Sequence, residues 1–363
     1  MNHEPALQVL IERIQDARHE RSPLEILGGG SKRFYGNPPR GELLSVRPLA
    51  GISSYEPSEL VVTARAGTPL AELEAALAER GQWLPFEPPR FSPGGTVGGM
   101  VASGLSGPAR AAAGSLRDHV LGVALLDGRG ELLRFGGQVM KNVAGYDVSR
   151  LVAGSMGILG VLCEVSLKVM PLPPARLTLR FEQDQPAALL AVNTWAGRPL
   201  PLQASAWWEG MLVVRLGGAA AAVQAAAAQL GGEPIPPAMA DAFWLGLRDQ
   251  HDEFFIGARR AVAAGAALWR LSLPATAPAL AVPGEQLVEW HGAQRWLCTS
   301  APAAGVRALA EQLGGHAVLF DAHDKAAGAF APLAPPLARI HRELKRAFDP
   351  DGLFNPGRLY ADL

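Results

Sequence analysis

Three glycine-rich stretches carry most of the chemical potential of this 363-residue chain. They are Gly28-Gly29-Gly30-Ser31-Lys32; Pro93-Gly94-Gly95-Thr96-Val97-Gly98-Gly99, running on to Ser103-Gly104; and Gly154-Ser155-Met156-Gly157-Ile158-Leu159-Gly160-Val161. A diphosphate is held by several backbone N–H groups brought close together, and side chains obstruct that approach. Glycine supplies both the access and the positive φ angles at which successive N–H groups converge. One such stretch is an ordinary sheet turn. Three of them within the first 160 residues point to one large ligand that carries a pyrophosphate. Lys32 either adds a compensating charge to that ligand or is a solvated loop lysine.

The spacing excludes the commonest nucleotide sites. A Rossmann site needs Gly-x-Gly-x-x-Gly between a strand and a helix. Here Gly28-Gly29-Gly30 is followed by Ser-Lys-Arg, and Gly154 to Gly160 precedes a strand. No Gly-x4-Gly-Lys-Ser/Thr loop occurs. Cys163 and Cys298 are the only cysteines, too few for a disulfide framework or a CxxC metal site. No histidine, carboxylate or cysteine grouping has metal-ligand spacing, so no metal is expected.

The elements that must position these loops can be read from hydrophobic periodicity. Leu7, Leu10, Ile11 and Ile14 recur at helical spacing, and Pro23 to Leu27 runs extended into the first glycine stretch. Strands are expected at Leu43–Val46 and Glu59–Ala66. Thr68-Pro69 then opens a helix, with Thr68 as cap, Leu70, Leu73 and Leu77 as its apolar face and Gly81 at its end. Val120–Leu126 and Leu132–Phe135 form a hairpin through Asp127-Gly128. An alternating strand spans Val161–Val169. Pro171, Pro173 and Pro174 then mark a boundary.

Beyond it the pattern changes. Leu177–Phe181, Leu212–Leu216, Leu268–Leu273 and Ala317–Phe320 read as strands and Ala219–Leu230 as an Ala-rich packing helix, which suggests an antiparallel α+β unit. Pro336–Phe348 is an amphipathic helix with Leu337, Ile340, Leu344 and Phe348 on its apolar face, followed by a compact tail. The expected division is 1–175, 176–330 and 331–363.

Composition narrows the class further. The 33 Lys and Arg against 34 Asp and Glu give a net charge of −1, which leaves no basic excess for nucleic acid. No apolar run approaches the roughly 20 residues of a membrane span. Met1 to Ala17 carries Glu4, Glu12, Arg13 and Asp16 and so lacks the apolar core of a signal peptide. A cytoplasmic protein is expected.

In order and spacing, the three glycine stretches resemble the FAD-binding PCMH-type fold of the vanillyl-alcohol-oxidase flavoproteins. Longer strings are more telling. Gln82-Trp-Leu-Pro-Phe-Glu-Pro-Pro89, Arg134 to Arg150, Pro283-Gly-Glu-Gln-Leu287 and Phe354-Asn-Pro-Gly-Arg-Leu-Tyr-Ala361 are similar to the FAD-binding E subunits of bacterial glycolate oxidases. The resemblance runs from about residue 20 to the C-terminus. It implies an α+β chain: a two-subdomain FAD-binding domain, a smaller antiparallel cap and a tail that returns to the first domain. It also implies that Gly28–Lys32 wraps the FAD pyrophosphate from one side and Pro93–Gly99 with Ser103 and Gly104 from the other. Gly114, Ser115 and Asp118 would continue this loop along the cofactor. Gly154 to Val161 would lie along the adenosine end, with the backbones of Ile158 and Val161 near the adenine. Relatives that bind flavin covalently use a His in the first loop or a Cys in the second. This chain has Ser31-Lys32-Arg33 in the first, and Cys163 falls beyond the second, so FAD is expected to be non-covalent.

The implied activity is oxidation of glycolate, a small 2-hydroxy acid, to glyoxylate by a complex. Its implied partners are a larger FAD-bearing subunit and an iron–sulfur subunit, since two cysteines cannot ligate a four-iron cluster. Attachment to the inner membrane through a partner stays open. The His-rich Gly-Asp-Gly motif of the superfamily's 2-hydroxy acid dehydrogenases is missing; Gly314-Gly-His316 and Asp321-Ala-His323-Asp324 come nearest. The family's Gly-Ser-Glu-Gly appears here as Gly154-Ser-Met156-Gly157. No catalytic residue is assigned, and the expected role is electron transfer or assembly beside the larger subunit. Lys141-Asn142 and Tyr146-Asp147 either pack under the flavin or hold a turn. Arg358 either reaches the cofactor or ties down the tail. Two other readings stay open: a stand-alone 2-hydroxy acid dehydrogenase, which would reduce a dye without partners, and a scaffold with a vestigial, colourless pocket.

Overall fold

The computed structural model describes residues 4–137 and 146–363. Strands before residue 170 and strands after it build different sheets. The first is a five-stranded antiparallel sheet in the order Ile52–Glu56, Val61–Arg65, Val161–Lys168, Val120–Leu126, Leu132–Gly136. Val161–Lys168 is central, and both of its faces are covered. Leu162, Val165 and Leu167 pack under the helices Leu70–Ala78 and Val97–Ser103, while Val161 and Cys163 face the N-terminal helix Pro5–Glu20. The expected alternation holds over its second half, where Val165 and Leu167 join the core between polar Glu164, Ser166 and Lys168, while Val161 to Cys163 is buried throughout.

On the Pro5–Glu20 side lies a small parallel pair, Leu24–Leu27 with Glu42–Ser45. Leu24 N–H donates to Leu353 O, and Asn355 N–H donates to Leu24 O, so the C-terminal tail runs alongside the first strand. Two expectations need correcting. Thr68 does not cap its helix; its hydroxyl exchanges hydrogen bonds with the backbone of Gly51, and Leu70–Ala78 begins without a side-chain cap. The tail helix Pro335–Phe348 leaves Leu337 and Ile340 about half exposed, and its one buried residue is Lys345.

The second sheet has eight strands, all antiparallel, in the order Glu233–Ile235, Ala175–Glu182, Met211–Gly218, Leu202–Trp208, Glu285–Glu289, Gln294–Thr299, Ala267–Ser272, His316–Ala322. Helices Gln185–Ala196 and Ala220–Leu230 cover one end of one face, and Ala303–Gln312 covers the other end. Helices Pro237–Asp249 and Glu253–Ala263 pack on the opposite face. There Trp296 and Phe320 also meet Tyr35, Leu105 and Met156 from the first half of the chain, so the halves share one apolar cluster. The architecture is the expected α+β class, with an antiparallel cap. Among the described residues no helix is long and apolar enough to cross a membrane.

Candidate functional site

The first strand ends at Leu27, and the chain then turns sharply through Gly28 to Lys32. Gly30 adopts φ of +75°, and Arg33 N–H closes the turn onto Gly30 O at 3.0 Å. Behind this loop the second glycine stretch approaches main chain to main chain. A Cβ on Gly29 would lie 1.3 Å from Gly94 O, so no other residue fits there. The helix Val97–Ser103 follows, with Thr96 Oγ1 accepting from Gly99 N–H at 3.3 Å.

Together these segments line a cleft that opens to solvent. Of the expected residues, Gly28, Gly29, Gly30, Ser31, Lys32, Thr96, Gly98, Gly99, Ser103, Gly157 and Gly160 line it. Others stand behind its walls. Gly94 and Gly95 back the first loop, Gly95 O accepts from Leu70 N–H, and Pro93 just before them is outside the cleft lining. Gly104 and Gly154 pack on each other. Gly114, Ser115 and Asp118 form a local turn, in which the Ser115 N–H and hydroxyl each donate to Asp118 at 2.8 Å. Ile158 and Val161 are buried in the core. Both backbone groups of Ile158 are engaged, its N–H by Ser155 O and its C=O by Lys345, so they are not offered to the cleft.

What the cleft can do follows from its unsatisfied donors. Among the described residues, the backbone N–H groups of Gly28, Gly29, Gly30, Ser31 and Lys32 find no protein acceptor. Buried or half-buried N–H groups normally do. Lys32 is not a free loop lysine: its ammonium makes one long hydrogen bond, 3.4 Å to Ser31 Oγ, and sits 5.4 Å from the Phe91 ring centre. Burial lowers its pKa to about 8, against the opposing pull of Asp249 and Glu74. A run of vacant N–H groups beside an under-partnered cation fits a diphosphate. By contrast, the first N–H groups of the helix Val97–Ser103 are taken by Thr68 O, Ala66 O and Thr96 Oγ1.

The tail contributes what the periodicity missed. Asn355 receives Ile26 N–H on its oxygen at 2.8 Å and donates to Met156 O at 2.7 Å, stapling the first strand to the third glycine stretch. Lys345 spends all three protons, on Ile158 O, Phe354 O and Asp349, at 2.7–2.8 Å. Arg358 lines the cleft, but its guanidinium donates to the carbonyls of Arg33, Asn37 and Lys32; it ties the tail to the first loop. Glu25, also on the cleft wall, is held by two 2.8 Å bonds from Arg33. The amphipathic pattern of the tail helix hides Lys345 because its neighbours Arg342 and Arg346 are exposed.

Cys163 is fully buried, and its thiol is pushed up to about 12, so it offers no thiolate. Neither cysteine nor histidine lines the cleft among the described residues. Tyr146 is 96% exposed and Asp147 caps a short helical turn through Arg150 N–H, so this pair holds a turn. Lys141 and Asn142 lie outside the described residues. No group of three or more metal-ligating side chains occurs among the described residues.

Comparison with known proteins places this geometry. Residues 7–136 match the family model described as FAD binding domain. The chain is 48% identical over 356 residues to the glycolate oxidase subunit GlcE of Escherichia coli K12, covering 98% of both. It is 29% identical over 185 residues to the glycolate oxidase subunit GlcD of Bacillus subtilis, covering 50% of this chain and 39% of that one. Similarity to the mitochondrial D-lactate dehydrogenase [cytochrome] of Arabidopsis thaliana is 29% over 171 residues, or 46% of this chain and 30% of that one. In fold alone, the chain matches a solved alkyldihydroxyacetonephosphate synthase at a TM-score of 0.64 and 15% identity, over 96% of this chain and 74% of the other. The FAD binding domain makes FAD the cofactor and the chain an FAD-dependent oxidoreductase subunit. At this identity and coverage, the chain belongs to the family of the glycolate oxidase subunit GlcE.

Proposed function

We propose that this chain is the E-type, FAD-carrying subunit of a complex that oxidises glycolate to glyoxylate. Its FAD is held non-covalently with the diphosphate against Gly28–Lys32. The observation that carries the reading is the run of five backbone N–H groups without a protein acceptor, facing a cleft that Lys32 also lines. When bound, FAD supplies two-electron redox chemistry.

This chain's own residues do the holding. The loop N–H groups bind the diphosphate, and Lys32 balances one of its charges. Arg358 and Asn355 keep the loop and the first strand in place, so the donors are pre-ordered before the cofactor arrives. Arg33 neutralises Glu25, which would otherwise repel an anion. The proposed division is a cofactor domain to residue 175, a cap over 176–330 and a tail from 331; the separate sheets support it.

The 2-hydroxy acid is oxidised on a larger flavin subunit, with this chain supporting electron transfer or assembly, and iron–sulfur clusters come from a further partner. Supporting that allocation, no imidazole lines the cleft among the described residues. The complex resides in the cytoplasm, with any membrane attachment made through a partner.

The test is an absorbance spectrum of the chain purified alone, followed by denaturation. Flavin bands that leave with the supernatant are the expected result. Colourless protein that does not take up added FAD overturns the reading, and colour retained in the pellet overturns the non-covalent part.

A further inference from the structure

The turn that follows the first glycine stretch is gripped from behind by two cations, one from the tail and one from the cap. Arg358, on the tail, donates to the carbonyls of Lys32, Arg33 and Asn37. Lys325, on the cap, donates to the carbonyls of Phe34 and Gly36, and also to Phe320 O in its own half at 3.2 Å. Every carbonyl from Lys32 to Asn37 except that of Tyr35 therefore accepts from a cation. Lys325 is half-buried, and among the described residues no carboxylate lies within ion-pair distance of it. Burial lowers its pKa to about 8 against the pull of Asp321, and Arg358 adds to the lowering.

Asn37 ties the same three parts together. Its Oδ1 accepts from Ala329 N–H on the cap at 2.8 Å, and its Nδ2 donates to Gly357 O on the tail at 2.8 Å. The cap segment is itself braced, since Arg307 donates to the carbonyls of Ala327, Gly328 and Phe330.

The grip reaches the vacant donors through the turn. Arg33 N–H holds Gly30 O at 3.0 Å, and Tyr35 N–H holds Lys32 O at 3.1 Å. In a planar trans peptide the C=O and the following N–H point in opposite directions. With Gly30 O drawn into the turn, the N–H of Ser31 points away from it and finds no protein acceptor. Releasing the carbonyls of Phe34 and Gly36 frees the turn, and with it the direction of that donor.

We propose that Lys325 is a positioning residue for the diphosphate donors, through which the cap forms the outer half of the cofactor clamp. The cap then cannot shift from the first loop without loosening FAD. By linkage the effect is reciprocal, so FAD on the loop tightens the cap segment around Lys325. The proposal rests on the FAD reading above and goes beyond it in giving the cap a part in holding the cofactor.

The experiment compares the FAD-loaded chain with its Lys325→Met and Lys325→Arg variants. FAD release on dilution is followed by flavin fluorescence, and hydrogen exchange over residues 319–330 is measured by mass spectrometry with and without FAD. In wild type, FAD should slow exchange at the N–H groups of Ala329 and Leu319, which are bonded to Asn37 and to Ala329 O. Lys325→Met should release FAD at least about tenfold faster, the lower end of the range for a charge-assisted hydrogen bond, and should lose the FAD-dependent protection. Lys325→Arg keeps the charge and should fall between the two. A lysine that only stabilised the fold would lower the unfolding midpoint of the flavin-free chain and leave both readouts unmoved. Asn37→Ala keeps both cations and serves where Lys325→Met does not fold; it should speed release about threefold, the equivalent of one neutral hydrogen bond. Unchanged release and unchanged protection in these variants overturn the proposal while the FAD reading stands. A wild-type chain that takes up no FAD overturns that reading, and the proposal with it.

Discussion

The glycine cleft and the small cavity under the cap, where Phe91 and Ser106 meet Arg270, Glu289, Gln294 and Trp296, are built from opposite materials. The cleft is made of main chain: loops a few residues long, whose donors point inward because no side chains intervene. The cavity is made of side chains that reach it from strands and helices far apart in sequence. Arg270 and Trp296 pair across adjacent strands, whereas Phe91 and Ser106 arrive from the other half of the molecule. A main-chain site tolerates change almost nowhere in its loops but depends on few of the side chains around it, here chiefly Lys32. A side-chain site is the reverse. The comparison can be broken by substitutions that should hit one region and spare the other.

The largest effect belongs to Gly29→Ala. Its new Cβ would fall 1.3 Å from Gly94 O, a main-chain collision that no rotamer relieves. The expected outcome is loss of flavin and a stability deficit of about 4 kcal/mol or more, read by urea unfolding. If the variant keeps its colour and its midpoint, the two loops are not held in contact and the cleft as described is wrong. Lys345→Met comes next. It strands the buried Asp349 carboxylate and frees Ile158 O and Phe354 O, at a cost of roughly 3 kcal/mol. Limited proteolysis should then cut the tail first. A variant as resistant as wild type would show that the tail is held by its apolar contacts alone.

How far these regions could be read from sequence follows the same division. The cleft was legible because its signal is compositional: glycine runs stand out wherever they occur. Even so, composition could not separate glycines that line the cleft, such as Gly28 and Gly99, from those that only let backbones touch, such as Gly94 and Gly104. The strands Leu202–Trp208, Glu285–Glu289 and Gln294–Thr299 went unread. Their buried positions include Ser205, Glu289, Gln294, Arg295 and Thr299, which break the apolar pattern. Arg270, Glu289 and Gln294 carry no local signature at all. Lys345 was hidden for a related reason, since a lysine on an otherwise basic helix looks solvated until its three acceptors are seen.

Lys32 separates affinity from stability. Its folded-state pKa, about 8, lies below the ordinary 10.5, because burial disfavours the charged form. The unfolded chain therefore keeps this proton longer than the folded one. Stability of the flavin-free protein should rise between about pH 8 and 10.5, and Lys32→Met should remove that rise. FAD affinity should move the other way: about 10- to 100-fold weaker in Lys32→Met, the range of one charge-assisted contact. In wild type it should decline as pH climbs through about 8. Equal FAD affinity in the variant would leave the backbone N–H groups as the sole diphosphate ligands.

Thr96→Val and Thr96→Ser form the finest test, because they alter the cleft wall without touching its glycines. Thr96 Oγ1 accepts from Gly99 N–H at 3.3 Å, a long bond that closes the start of the helix Val97–Ser103. Losing it should cost about 1 kcal/mol, and serine should restore it. Valine leaves the Gly99 N–H vacant, adding a donor to a cleft whose first loop already has five, so FAD affinity should hold or rise slightly while the unfolding midpoint falls. That opposite movement is possible only where the ligand is bound by main chain. If Thr96→Val instead lost FAD as sharply as it lost stability, the hydroxyl itself would be a ligand, and the two regions would differ less than their composition implies.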